Sequence, residues 1–442
     1  MDDLDTLIGR AKEAQKVYAN FPQEKVDAIF KSAAMAADEA REELARMAVD
    51  ETGMGIVKDK IFKNHFAAHF IYEKYATAKT CGIISEDKSN RVKVVVDPIG
   101  LIAGVIPTTN PTATAIFKAL LVLKTRNGIV VSPHPRAKKC TAAAVEIVAN
   151  AAVKAGAPKN LLACLGEPTL EATAALMHHP SIDLILATGG GGMVKAAYAS
   201  GKPALGVGAG NTPAIIDENA NVPAAVEAVL ASKTFDNGVI CASEQSIVAV
   251  GSVYDDVREE LAKQGAYILN KEESATLGKI IINEKGLNPA IVGQSAQKIG
   301  ELAGLRIPPS ARVLVSEEKI YEATNPYARE KLSLILSLYG APNFEQAVEI
   351  GLQLVSIGGL GHTSVLHTDA NDQQRIDYFA SKMPTGRLLI NLPASQGAIG
   401  FSNDSLTPSL TLGCGSWGGN ASSENIGIKH LLNYKTIAGK KD

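Results

Sequence analysis

A chain of 442 residues is too long for one ordinary core and long enough for two or three lobes. Its 46% apolar and 20% charged residues, with a net charge of −2 and both signs interspersed, give no electrostatic reason to expect nucleic acid or a membrane surface as partner. The acidic start Met1-Asp2-Asp3-Leu4-Asp5 is no secretory signal, and stretches such as Gly100 to Pro107 fall short of the roughly 18 apolar residues of a membrane span, so a cytoplasmic setting is expected.

The first ninety residues read as helices. Val26, Ile29, Phe30, Ala33, Ala37, Ala40, Leu44, Met47 and Ala48 recur at the three- and four-residue steps of a buried helical face. From about residue 92 the texture changes: β-branched Val92 to Val96 stops at Asp97-Pro98, and Leu101 to Ile106 is a strand ended by Pro107. Strand candidates Ile129 to Val131, Leu161 to Leu165 and Leu184 to Leu186 then alternate with helix-like Ala113 to Thr125, Ala137 to Ala155 and Leu170 to His178. That alternation predicts a parallel sheet covered on both faces. A second series runs through Ser246 to Val250, Arg312 to Val315, Leu334 to Leu338, Ser364 to His367 and Arg387 to Asn391, with helices Asn343 to Ser356 and Asn371 to Lys382 between. The break near 233–241 reads as a domain boundary. Leu431, Leu432, Tyr434 and Ile437 form a strand-like end with no partner nearby in sequence, and Gly439 to Asp442 looks like the start of a linker.

Five cysteines, Cys81, Cys140, Cys164, Cys241 and Cys414, are odd in number and far apart, which fits neither a disulfide framework nor a zinc site. His65 and His69 have helical zinc-ligand spacing, but Phe66 stands where a metalloprotease motif needs Glu, so no metal is expected. Gly413 to Gly418 matches G-x-G-x-x-G, yet too few residues follow to build a strand–helix–strand unit. Thr188-Gly189-Gly190-Gly191-Gly192, between a strand and a helix start, is a better pyrophosphate cradle, because bare backbone N–H groups there attract anions. Gly206 to Asn211 is a further flexible loop. Cys241 follows the turn-favouring Asn237-Gly238 at the lobe junction, a better place for a reactive thiol than an apolar helix face.

Six segments in this order resemble the aldehyde dehydrogenase superfamily: Ile106 to Thr112, Ser132 to Arg136, Leu186 to Gly190, Lys233 to Gln245, Gly361 to Ser364, and Leu412 to Gly419. The likeness is greatest to the coenzyme A-acylating branch, in particular the amino-terminal half of bifunctional aldehyde–alcohol dehydrogenases. It implies an α/β fold with a Rossmann-type cofactor domain, an α/β catalytic domain and a small β oligomerisation flap. Mapped on this chain, that gives 1–235 as helices and NAD-binding domain (with an oligomerisation strand at about 92–97), 236–425 as catalytic domain, and 426–442 as oligomerisation strand and tail.

The resemblance also implies roles. Cys241 matches the nucleophile, Asn110 the amide that cradles the oxyanion with the cysteine N–H, and His362 a histidine that could take the coenzyme A proton. Glu330 matches the carboxylate that holds the nicotinamide ribose. Thr108, Thr109, Ser132, Pro133, His134, Thr188, Gly189, Gly190 and Gly208 complete the implied cofactor site. NAD is the expected cofactor; Arg136, near where relatives place a lysine, keeps NADP open. Hydrolytic members carry a glutamate base where this chain has Val207, which implies transfer to coenzyme A rather than water. Acetaldehyde and acetyl-CoA are the implied pair, with a hydrolytic enzyme, or an acylating one for an aldehyde such as succinate semialdehyde, as alternatives. A homo-oligomer is expected, and a filament where the chain is part of a bifunctional enzyme.

Overall fold

The computed structural model describes residues 3–284, 286–401 and 406–440; Lys441 and Asp442 of the expected tail lie outside them. Four helices, Leu4–Tyr18, Gln23–Glu39, Arg41–Thr52 and Val57–His65, open the chain, the last running through a π-turn at Phe66–Phe70 into Ile71–Tyr75. Val26, Ile29, Phe30, Ala33, Ala37, Leu44 and Ala48 are buried as their period predicts, with Ala40 and Met47 half-buried beside them.

A first parallel sheet has the order Leu162–Cys164, Gly128–Ser132, Leu101–Val105, Leu184–Thr188, Ala204–Val207. Five strands wound outward from the first in both directions make a Rossmann-type half, whose crevice lies at the carboxyl ends of the strands. Helix Pro111–Lys124 is buried on every side against it. Pro111 suits the first turn, where a missing N–H costs nothing.

A second sheet holds seven parallel strands: Ala266–Ile268, Val313–Glu317, Ile335–Ala341, Glu244–Val250, Thr212–Ile216, Gly361–His367 and Thr385–Ile390. Thr212–Ile216 lies inside this sheet, and helix Val222–Thr234 packs on it through Val226, Val229 and Leu230. The two sheets therefore divide the chain between Val207 and Thr212, ahead of the break expected near 235. Pro213 disguises the strand in sequence, and a register shift between Thr212 and Pro213 accommodates its missing N–H.

A small antiparallel sheet joins Gly82–Asp87, Val92–Pro98 and Leu432–Ala438. Residues 82–87 are thus strand, not helix, and the carboxyl-terminal strand finds its partner within the same chain. Its register sets Tyr434 opposite Val96 and Ile437 opposite Lys93. Most of the flap is solvent-exposed, including Ile83, Tyr434 and Ile437. Among the described residues, no helix is long and apolar enough to cross a membrane.

Candidate active site

Strand ends of one sheet meet strand starts of the other. Thr108, Thr109 and Asn110 follow Leu101–Val105; Pro133 and His134 follow Gly128–Ser132; Gly189 and Gly190 follow Leu184–Thr188; Gly208 follows Ala204–Val207. From the second lobe, Cys241 precedes Glu244–Val250 and Glu330 precedes Ile335–Ala341. All of these, with Ser132 and Thr188, line one cavity of about 540 Å³, a volume suited to a small ligand or cofactor portion. A larger, more open groove, about 1400 Å³, lies near the carboxyl ends of Ala266–Ile268, Val313–Glu317 and Ile335–Ala341 and contains none of these residues.

The cofactor side of the cavity fits a dinucleotide. Gly190 is the N-cap of helix Gly191–Ala199, and a Cβ added at Gly190, Gly191 or Gly192 would meet open space. Bare N–H groups at a helix start are suited to a pyrophosphate. The buried Thr108 hydroxyl has no partner among the described residues, and Thr108 lines the same cavity. Ser132 Oγ and Thr173 Oγ1 share a 2.7 Å hydrogen bond, and His134 Nδ1 accepts the Arg136 N–H at 3.1 Å. Arg136 itself is exposed and does not line the cavity.

Cys241 sits half-buried on the wall after an unusual run. Asp236, Asn237 and Gly238 all have positive φ (52°, 52° and 76°), tightening the turn into the thiol. Only Gly adopts that region freely, so two non-glycine residues there must be held by contacts. Asp236 is: its carboxylate accepts the Ile56 N–H at 2.7 Å, Lys60 Nζ at 2.9 Å and Lys63 Nζ at 2.5 Å, while its own N–H donates to Asp59 at 2.8 Å. Asn237 Nδ2 donates to the Gly293 carbonyl at 2.9 Å.

The thiol of Cys241 is pushed up to about 12, chiefly by burial, then by the negative charges of Glu330 and Cys414; Arg387 and its own N–H pull the other way. Burial therefore favours the thiol over the reactive thiolate. Burial also pushes Glu330 up to about 7, opposed by the Gly210 N–H, which donates to its Oε1 at 3.0 Å, and by Lys233 and Lys331. Val207, 2% exposed, presents methyl groups to the cavity, and Glu330 is the sole carboxylate on the wall among the described residues.

His362 departs from the expected arrangement. It is fully buried and does not line the cavity. Nδ1 pairs with Thr363 Oγ1 at 2.9 Å, Nε2 has no partner among the described residues, and burial with the nearby Arg387 holds the imidazole well below its usual range, hence neutral. Gly210 lies between it and Cys241: a Cβ there would stand 1.9 Å from the Cys241 carbonyl oxygen and 3.3 Å from His362 Cγ. Only glycine lets these three segments approach so closely.

Three buried cations near the site belong to no motif in the sequence. Arg387 donates to the carbonyls of His362, Gly361, Gly413 and Ser423 and has no carboxylate partner among the described residues. Those bonds fix the Gly413–Gly418 loop against strand Gly361–His367. Lys63 joins Asn110 to Asp236. Lys118 bridges the carbonyls of Val105 and Leu186 at 2.7 and 2.8 Å, where the first sheet opens into the cavity. His65 pairs with Asp38 and His69 with Glu73.

Comparison with known proteins agrees with this geometry. Residues 1–301 match the aldehyde dehydrogenase family. Over all 442 residues the chain is 57% identical to the bifunctional aldehyde-alcohol dehydrogenase of Escherichia coli (strain K12), of which it spans 50%. The chain thus covers about half the length of these bifunctional relatives. It is 38% identical over 435 residues to the succinate-semialdehyde dehydrogenase (acetylating) of Clostridium kluyveri, covering 98% of this chain and 95% of that one. The crystal structure of an acetylating aldehyde dehydrogenase from Geobacillus thermoglucosidasius matches with a TM-score of 0.97 at 47% identity, across 99% of this chain and 96% of the other. The family match, the relatives covered from end to end and the shared fold converge: the chain belongs to the aldehyde dehydrogenase family.

Proposed function

We propose that this chain is a coenzyme A-acylating aldehyde dehydrogenase, interconverting acetaldehyde, coenzyme A and NAD with acetyl-CoA and NADH. Cys241 sulfur adds to the aldehyde carbon, and Asn110 Nδ2 with the Cys241 N–H steadies the oxygen as it becomes negative. When bound, the nicotinamide supplies the hydride acceptor. Glu330 would hold its ribose, and the Thr188-Gly189-Gly190 turn its phosphates. Cys241 is left carrying a thioester, which the coenzyme A thiolate takes over, one thioester replacing another.

The observation that carries this reading is the cavity wall that Cys241 shares with Val207: where hydrolytic members carry a glutamate base, Val207 offers none for water, and Glu330 is the residue expected to hold the ribose. His362 could receive the coenzyme A proton on its unpartnered Nε2, provided the glycine-containing loop 208–210 lets the thiol reach it. The cationic lining residue, Lys63, is engaged by Asp236 and Asn110, so among the described residues no free ammonium awaits a second carboxylate. That favours a small uncharged aldehyde over succinate semialdehyde. Arg136 being off the wall favours NAD over NADP. The exposed flap supports a homo-oligomer, and light scattering with and without the flap strands tests the assembly.

The decisive measurement is NADH formation across an aldehyde series with and without coenzyme A. Formation that requires coenzyme A and vanishes in Cys241→Ala is expected. Sustained NADH production without coenzyme A would establish the hydrolytic enzyme instead.

A further inference from the structure

We propose that Lys63 is a positioning residue that locks the Asn110 amide with its second N–H free for the reacting oxygen and polarises that N–H as an oxyanion donor. This rests on Asn110 and Cys241 acting as an acyl-transfer pair.

Lys63 lies in helix Val57–His65, 2% exposed, and each of its three N–H donors has a use. Nζ donates to Asn110 Oδ1 at 2.6 Å, to Asp236 Oδ2 at 2.5 Å and to the Val239 carbonyl at 3.1 Å. The Asn110 amide is held at its other end too, since Nδ2 donates to the same Val239 carbonyl at 3.0 Å. Turning the amide over would set an NH2 against an ammonium and an oxygen against a carbonyl oxygen, two repulsions in place of two bonds. The orientation is therefore fixed from both sides. Its second N–H has only a long 3.4 Å contact to Thr109 Oγ1 and is available to a carbonyl oxygen in the cavity.

Charge acts in the same sense. An ammonium on the amide oxygen draws electron density from the nitrogen, making the free N–H a stronger donor, as hydrogen bonds in a chain polarise one another. Lys63 also ties the two halves of the cradle together: Asn110 comes from the first lobe, while Asp236 and Val239 belong to the run leading to Cys241. The charged groups around it are Lys60 and Asp59 on its own helix and Asp236 from the facing segment. Burial lowers Lys63 to about 8 against the pull of Asp236, so the cation persists at neutral pH.

The test uses p-nitrophenyl acetate, which needs neither nicotinamide nor coenzyme A. Cys241 sulfur bonds to the ester carbon through an oxyanion, the C–O bond breaks, and p-nitrophenolate leaves. Its burst rate is compared with alkylation of Cys241 by iodoacetamide, a displacement at saturated carbon that forms no oxyanion. In the full chain, Lys63→Met should slow the burst at least about tenfold while alkylation changes less than about twofold. On an Asn110→Ala background the same change should add nothing, because Lys63 acts through that amide. Lys63→Gln, which keeps a donor without the charge, should fall between wild type and Lys63→Met, and it carries the test if Lys63→Met does not fold. Multiplicative losses with Asn110→Ala, equal slowing of both reactions, or a wild type without a Cys241-dependent burst would overturn the proposal. A normal burst and coupling with no coenzyme A-dependent NADH would instead sink the dehydrogenase reading and leave this one standing.

Discussion

Gly210→Ala is the most informative single methyl group to add. Its Cβ would stand 1.9 Å from the Cys241 carbonyl oxygen and 3.0 Å from the carbonyl carbon, against the ~3.3 Å of a close C···O contact. One backbone must retreat by more than about 1 Å. If it is Gly210, the N–H bond to Glu330 breaks; if it is Cys241, the thiol shifts from its place on the cavity wall. A misplacement of about 1 Å can cost on the order of 100-fold in rate, whereas overpacking costs about 1–3 kcal/mol, too little to unfold a chain of this size. Single-turnover NADH formation by stopped flow should therefore fall about 100-fold while the melting transition stays cooperative. Gly9→Ala is the matched control, since its Cβ would meet nothing within 4 Å in helix Leu4–Tyr18. Turnover by Gly210→Ala within about threefold of wild type would refute the claim that this crowding sets the nucleophile's position.

Other outcomes follow from the same contacts. Asp236→Ala leaves Lys60 and Lys63 buried without their shared carboxylate and should cost about 3–5 kcal/mol, measured as a fall of a few degrees in melting temperature. Val207→Glu should raise NADH formation in the absence of coenzyme A, if a base at that wall is what hydrolysis lacks. Glu330 has a folded-state pKa of about 7, above its unfolded value, so the folded state binds the extra proton between roughly pH 4.5 and 7. Its contribution to stability is full below that window and is lost as pH rises through it; urea titrations of Glu330→Gln should lack this share of the slope.

Much of the site was legible because its pieces are local. Proline and glycine at strand ends mark Pro107, Pro133 and Gly189 as turns, and six motifs in family order name Cys241 and Asn110. What escaped depends on distant partners. Nothing in the sequence of helix Val57–His65 shows that Lys63 is buried, because its partner Asp236 lies 173 residues away. Residues 82–87 are short and polar, and only pairing with Val92–Pro98 makes them a strand. Arg387 looks like one more charge in a strand, yet it organises four carbonyls contributed by other segments. His362 shows the converse: the family resemblance named the residue but could not say that Gly210 stands between it and Cys241.

The flap gives the chain an order of events. Val92–Pro98 waits for Leu432–Ala438, and Asn433 Nδ2 reaches the Pro98 carbonyl across 335 residues. On the ribosome the first lobe emerges long before that strand exists, and everything between must be synthesised and compacted before the ends can meet. The third strand of the flap is thus a sign that both lobes have been made. Any assembly built through it would recruit only chains whose thiol-bearing lobe has already been made, so a truncated chain would be left out of the assembly rather than poisoning it.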